Sequence, residues 1–224
     1  MSTRGSYPNV DALPEVVPVF PLTGVILLPG VRLPLNVFEP RYLAMVDAAL
    51  AGDRVIGMIQ PAVTGAEEEA TNPDLSRVGC LGRLTAFNET EDGRYLITLA
   101  GVCRFAVSEE AEVGTPFRQV HPDWAHYAGD LEAAPEPDLD RRRLFGALET
   151  YLERKSLEVD WETLEDAGAE ALVNTLAVML PMGAREKQGL LLAETLNQRA
   201  QLLLTLLEMD RARGGEDDSD TPLQ

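Results

Sequence analysis

Glu39, Pro40, Arg41 and Tyr42 place a carboxylate, a guanidinium and a phenol together at the predicted start of a helix. Such a trio can supply polar contacts to a ligand. The same residues also have structural uses. Pro40 fits a first helical turn, Glu39 can accept from the open amides there, and Arg41 can pair with a carboxylate or carbonyl across the fold. The structural use is the favoured reading, and ligand contact by Glu39, Arg41 and Tyr42 is kept as the alternative.

The other groups that could do chemistry are sparse. His121 and His126 flank Asp123, but a catalytic zinc site usually needs three protein ligands in known geometry plus an open position. Neither a C-x-x-C pair nor an H-E-x-x-H helix occurs, so no metal is expected. Lys155 and Lys187 are the only lysines, neither follows a glycine-rich loop, and G-x-x-x-x-G-K-[ST] is absent. The sequence therefore offers no cradle for a nucleotide phosphate. Ser156 follows Lys155 at a predicted helix end, where adjacent side chains diverge and no Ser-Lys dyad forms. We assign no catalytic residue and no cofactor.

Bulk properties narrow the class. With 224 residues, 45% of them apolar and 25% charged, the chain can bury one large or two small cores. Its formal charge of −18 opposes nucleic-acid binding, which draws on lysines and arginines neutralising phosphates. The Arg141-Arg142-Arg143 run is read as a helix face paired with Glu136, Asp138, Asp140 and Glu149. No apolar stretch approaches the roughly 20 residues that cross a bilayer, and Met1 to Asp11 lacks a secretion-signal pattern. The expectation is a cytoplasmic protein with no membrane or nucleic-acid partner. Cys80 and Cys103 lie in apolar strand-like runs and are expected as free buried thiols.

These elements must position any site. Val16 to Phe20, Val25 to Leu28, Arg32 to Val37, Val55 to Gln60, Gly79 to Asn88, Tyr95 to Ala100 and Cys103 to Val107 read as strands, with Glu91-Asp92-Gly93 as a hairpin turn. Phe117 to Val120 and Trp124 to Tyr127 would complete a closed or nearly closed barrel. Tyr42 to Ala51 reads as a helix burying Leu43, Val46, Ala49 and Leu50, stopped by Gly52. Residues 62–76 are apolar-poor and read as a loop. Three helical runs follow the proline- and acid-rich segment 129–140. Leu144, Leu148, Tyr151 and Leu152 stripe the first, and Trp161, Leu164, Leu172, Leu176 and Met179 the second. Leu192, Leu196, Ala200, Leu203 and Leu207 stripe a third from Ala184 to about Arg213.

The run from Val17 to Leu50 resembles the opening of the Lon protease N-terminal domain family. Its marks are Phe20-Pro21-Leu22, Pro29-Gly30 and Phe38-Glu39-Pro40-Arg41-Tyr42. Val78-Gly79-Cys80-Leu81-Gly82, Asp92-Gly93-Arg94 and Leu99-Ala100-Gly101-Val102-Cys103-Arg104-Phe105 follow in the family's order. Glu186-Lys187-Gln188, the leucines after it and Asn197-Gln198-Arg199 resemble the family's last helix, although Leu192 stands where a glutamate is frequent.

The resemblance implies an α+β fold, a PUA-like β-barrel followed by a three-helix subdomain. The corresponding boundaries are a tail at 1–12, the barrel at 13–128, a linker at 129–140, helices at 141–213 and an acidic tail at 214–224. It also implies a stand-alone, non-catalytic module for polypeptide binding, an adaptor influencing proteolysis, with unfolded or exposed segments and a protease as partners. Leu22, Leu33, Leu35 and Trp161 join Glu39, Arg41 and Tyr42 as candidate contacts. The alternative is a small-molecule-binding or hydrolytic protein using the barrel cleft. The oligomeric state is not legible.

Overall fold

The computed structural model describes residues 7–62 and 73–217. Residues 1–6 of the tail expected at 1–12, residues 218–224 of the tail expected at 214–224, and most of the loop expected at 62–76 lie outside the described residues. The chain forms two compact units, Met1–Ala134 with Asn174–Leu192, and Pro135–Val173 with Ala193–Gln224.

The first unit is built on strands β1 (Val17–Pro21), β2 (Arg32–Val37), β3 (Val55–Pro61), β4 (Leu75–Glu89), β5 (Tyr95–Glu110) and β6 (Gln119–Asp123). They form one sheet in the order β2-β5-β4-β3-β1-β6, and a further β5–β6 pairing closes it into a barrel. Closure depends on the length of β5. Its first half, Tyr95 to Ala100, pairs with β2, whereas Ala106 to Glu110 pair with β6. The two strands expected at Tyr95 to Ala100 and Cys103 to Val107 are thus one. Closing the sheet removes exposed backbone edges along that circuit and leaves β2 as a flanking strand. Val17, Val19, Ile56, Leu81, Leu99, Val102 and Phe105 fill the core.

Three local expectations are corrected. Val25 to Leu28 buries Ile26, Leu27 and Leu28 but forms no strand. Gly24 and Gly30, with φ of 73° and 81°, turn the chain at either end, and Gly30 N donates to Gly101 O at 3.0 Å. An apolar run between turns can be buried irregular chain as readily as a strand. Trp124 to Tyr127 also leaves the sheet: Asp123 Oδ1 accepts from Ala125 N at 2.9 Å and starts a 3-10 turn over Ala125–Leu131. Another short 3-10 turn, Val10–Ala12, falls within the expected N-terminal tail.

Helix α1 (Pro40–Ala51) starts with Pro40 and buries Tyr42, Met45, Val46 and Ala49. Its buried face is therefore rotated from the expected one, with Leu43 and Leu50 only half-buried. Glu39 occupies the N-cap without a side-chain cap bond, because its carboxylate is taken by Arg41. Gly93 (φ 77°) closes the β4–β5 hairpin as expected, and the Thr90 hydroxyl, followed by Arg94, holds the Asp92 carboxyl below its usual range.

The region expected as one helical subdomain is divided. Five helices occupy it among the described residues: α2 (Arg141–Lys155), α3 (Trp161–Asp166), α4 (Ala169–Met179), α5 (Ala184–Leu192) and α6 (Leu196–Asp217). The second half of α4 and all of α5 belong to the barrel unit. Buried polar side chains account for this. Asn174 Nδ2 donates to Pro29 O at 3.2 Å. Gln60, 1% exposed, accepts from Gly24 N at 2.7 Å and donates to Ala184 O at 3.0 Å and Gln188 Oε1 at 2.9 Å. Buried polar groups require such partners, so these amides fix α5 in place on the barrel.

Lys187, 2% exposed, donates through Nζ to Ala177 O at 2.9 Å and Val178 O at 2.5 Å, capping the end of α4. Burial pushes its ammonium down from 10.5 to about 8. Between those values the unfolded chain holds a proton that the folded chain has released, so this group makes stability rise with pH by about 1.4 kcal/mol per unit. Below about pH 8 both states are charged and the contribution is flat. In urea titrations across this window, Lys187→Met should remove that rise; a slope equal to the wild type's would refute the assignment.

In the second unit, Leu144, Leu148, Tyr151 and Leu152 of α2 are buried, as are Leu196, Ala200, Leu203 and Leu207 of α6. Leu192, expected in the same stripe, is 47% exposed because the chain breaks at Ala193 before α6 begins. Gln198 accepts from Glu194 N and Thr195 N there. The helix then continues to Asp217, beyond the expected start of the acidic tail. The arginine run is not paired with its neighbours in sequence. Arg143 bridges to Glu208 at 2.7 Å, Arg141 donates to the carbonyls of Leu164, Glu165 and Ala167, and Asp140 caps α2 through Arg143 N. No helix among the described residues is long and apolar enough to cross a membrane.

Candidate functional site

The expected contact residues separate into different places. Arg41 and Tyr42 line an open cleft of about 500 Å³ in the barrel unit, walled by Pro21, Pro61 and Phe117 and edged by Arg118. Leu35 borders a second groove of about 480 Å³ on β2, β4 and β5. Leu33 is buried opposite Leu99, and Leu22 is half-buried beyond β1, its N–H on Ile59 O at 3.0 Å. Trp161 belongs to the second unit, where it meets the Phe145 ring edge-on at 6.1 Å. It lines a shallow hollow there with Leu152 and Leu157.

In the cleft, Arg41 does not reach across the barrel. Its Nε and Nη2 both contact Glu39 Oε2, at 3.0 and 2.9 Å, and its guanidinium lies 4.5 Å over the Tyr42 ring. Both side chains of the pair are more than two-fifths exposed. Exposed pairs contribute about 0–1 kcal/mol. Arg41→Ala should therefore change the unfolding free energy by less than about 1 kcal/mol; a larger loss on thermal and urea denaturation would restore the stabilising role expected from sequence. Tyr42 is 6% exposed and packs against Phe20 with ring centroids 4.3 Å apart and the planes tilted by 42°. Burial pushes its phenol up, Arg41 and Arg118 oppose this, and Glu39 reinforces it.

The groove on the ribbon was not expected from sequence beyond Leu35. Cross-strand register sets Asn36, Leu96 and Asn88 in one row and Pro34, Thr98 and Ala86 in the next. Directly opposed residues share a face of the sheet, so Leu96 lies between two amides and Pro34 and Ala86 flank Thr98 beside it. Leu96 is 43% exposed, and neither Asn36 nor Asn88 makes a side-chain hydrogen bond among the described residues. On the opposite face Phe87, 40% exposed, packs edge-on against Tyr95 at 4.9 Å. Phe38 is 63% exposed just after β2. The sequence signal that could have found these residues is the unbroken apolar content of β5 beside its turn, where a half-solvated hairpin would alternate.

His126 packs on Tyr127 at 4.8 Å, and the described residues contain no group of three or more His, Cys, Asp and Glu placed to hold a metal. Cys80 and Cys103 are both buried thiols that form no disulfide among the described residues, and burial pushes the Cys80 thiol well up.

Residues 16–209 match the family described as the ATP-dependent protease La (LON) substrate-binding domain. The Lon protease of Cytophaga hutchinsonii is 26% identical over 210 residues, 89% of this chain and 25% of that protein. The Lon protease of Escherichia coli (strain K12) is 22% identical over 205 residues, 87% of this chain and 25% of that protein. The chain thus spans about a quarter of the length of these curated relatives. Among solved structures, a Lon N-terminal domain protein from Xanthomonas campestris aligns with a TM-score of 0.58 at 25% identity, over 85% of this chain and 97% of that one. The N-terminal domain of a Mycobacterium avium complex Lon protease shares the fold, with a TM-score of 0.56 at 18% identity, over 86% of this chain and 98% of that one. A family match across the barrel, both halves of α4 and most of α6 places this chain in the ATP-dependent protease La (Lon) substrate-binding domain family.

Proposed function

We propose that this protein is a polypeptide-binding module that engages exposed apolar segments along the ribbon of β2, β4 and β5, and that it acts as an adaptor presenting clients to a protease. The observation that carries the reading is Leu96, exposed between two amides that have no protein partner among the described residues, with Pro34 and Ala86 as apolar neighbours in the next row. An extended segment needs those features: apolar area for one side chain in two, and donors and acceptors for the backbone between them. The family supports substrate recognition, and the site contains no arrangement of nucleophile, base and orienting group. The module works without a catalytic step of its own, in the cytoplasm, and its charge of −18 turns it away from nucleic acid.

Permanently unfolded, carboxymethylated α-lactalbumin is a suitable client. Leu96→Asn, at an exposed position, should weaken its binding in fluorescence anisotropy at least about tenfold, or about 1.4 kcal/mol, without lowering the melting temperature. Equal binding by the two proteins would remove the ribbon from consideration.

A further inference from the structure

The cleft beside α1 holds donors that the fold does not use. The Tyr42 hydroxyl makes no hydrogen bond among the described residues, although the residue is 6% exposed and lines the cleft. A buried phenol normally finds a partner. Arg41 spends Nε and Nη2 on Glu39, and its Nη1 has no partner among the described residues. Arg118 adds charge with each of its nitrogens already engaged once: Nε and Nη2 donate to Glu110, and Nη1 donates to Pro73 O at 2.6 Å. The walls, Pro21 and Phe117, supply apolar surface.

We propose that this cleft binds a carboxylate, with its oxygens on Arg41 Nη1 and the Tyr42 hydroxyl and the attached apolar group against Pro21 and Phe117. Glu110 also lines the cleft, but its carboxylate is taken by Arg118, so the groups left without a protein partner are donors and the ligand that suits them brings acceptors. A guanidinium edge matches a planar carboxylate. Glu39 and Glu110 offset much of the charge of the two arginines, which suits a monoanion and disfavours a phosphate dianion in a chain of net charge −18. A volume of about 500 Å³ lies within the range of ordinary ligand sites. The inference stands apart from the ribbon, since it concerns a different face of the barrel unit and needs no client there.

Two sources share this chemistry, the C-terminal carboxylate of a polypeptide and a free organic acid. Isothermal titration of the whole protein with N-acetyl-Ala-Ala-Leu, its C-terminal amide and 4-methylpentanoate distinguishes them. The tripeptide acid should bind at least tenfold more tightly than the amide. Tyr42→Phe should weaken the acid at least fivefold, and Leu96→Asn should leave it unchanged. Should Tyr42→Phe misfold, Arg41→Gln, at an exposed position, should produce the same loss. Equal binding by 4-methylpentanoate identifies the free acid as the source, and binding by the tripeptide alone identifies a chain terminus. Acid and amide binding alike, neither binding at millimolar concentration, or a folded Tyr42→Phe with wild-type affinity would overturn the proposal.

Discussion

Asp130→Ala should destabilise the protein by about 3–5 kcal/mol, the range measured when one partner of a buried ion pair is removed. Arg104 sits on β5 inside the barrel unit with its side chain 4% exposed, and Asp130 is 13% exposed. The carboxylate accepts from Arg104 Nε and Nη2 at 2.8 Å each and from Arg104 N at 3.0 Å. Nη1 donates to Leu191 O at 3.0 Å, and the guanidinium stacks 4.5 Å over Tyr127. Burial pushes the Arg104 guanidinium down, but the bonds and charge of Asp130 outweigh it and hold the group above its ordinary value.

Alanine at 130 therefore leaves a charge in a site from which water is excluded. It also unties the 3-10 turn from β5. Urea denaturation should show the loss. The exposed pair provides the contrast, since Arg143→Ala removes a solvent-screened bridge to Glu208 and should cost far less than Asp130→Ala. Pairing Asp130→Ala with Arg104→Met should recover part of the stability by removing the stranded charge. A single-variant loss below about 1.5 kcal/mol, or no recovery in the double variant, would show that the charge is relieved in another way.

The sequence disclosed the barrel more clearly than its contacts. Alternating β-branched runs and the Asp92-Gly93 turn announce a sheet because strand propensity and turn chemistry are local properties. Phe38 to Tyr42 likewise marks the helix start, and Pro40 appears at its first position. Long-range choices were hidden. Nothing local shows that Gln60 reaches Ala184 and Gln188, so α5 looked continuous with α6 and separate from the barrel. Arg143 had four carboxylates near it in sequence and pairs instead with Glu208, which only the packing of α2 near α6 brings close.

The candidate sites divided for the same reason. Arg41 and Tyr42 adjoin in sequence and remain together in space, but Arg118 and Phe117 reach their cleft only through the pairing of β6 with β1. Asn36, Leu96 and Asn88 are made neighbours by strand register alone. Periodicity can name a buried face, whereas it cannot say which residues from three strands share an exposed row.

Gly101→Ala should cost at least about 3 kcal/mol and yield little soluble protein, an effect set by backbone rather than by side chains. A Cβ built at Gly101 would lie 2.0 Å from Leu28 O and 2.7 Å from Leu28 C. Neither atom can rotate aside, because Gly101 N donates to Val31 O at 2.8 Å and accepts through its carbonyl from Gly30 N at 3.0 Å. The irregular run ending at Leu28 is pressed against β5 at this point, and that approach explains why a glycine interrupts an otherwise well-filled strand. Gly114 makes the matching control, since a Cβ there meets nothing within 4 Å. Gly114→Ala should stay within about 0.5 kcal/mol of wild type in the same denaturation series. If Gly101→Ala also did so, Leu28 and β5 would have to separate in solution, and with them the packing that seats Ile26 and Leu27 in the barrel core.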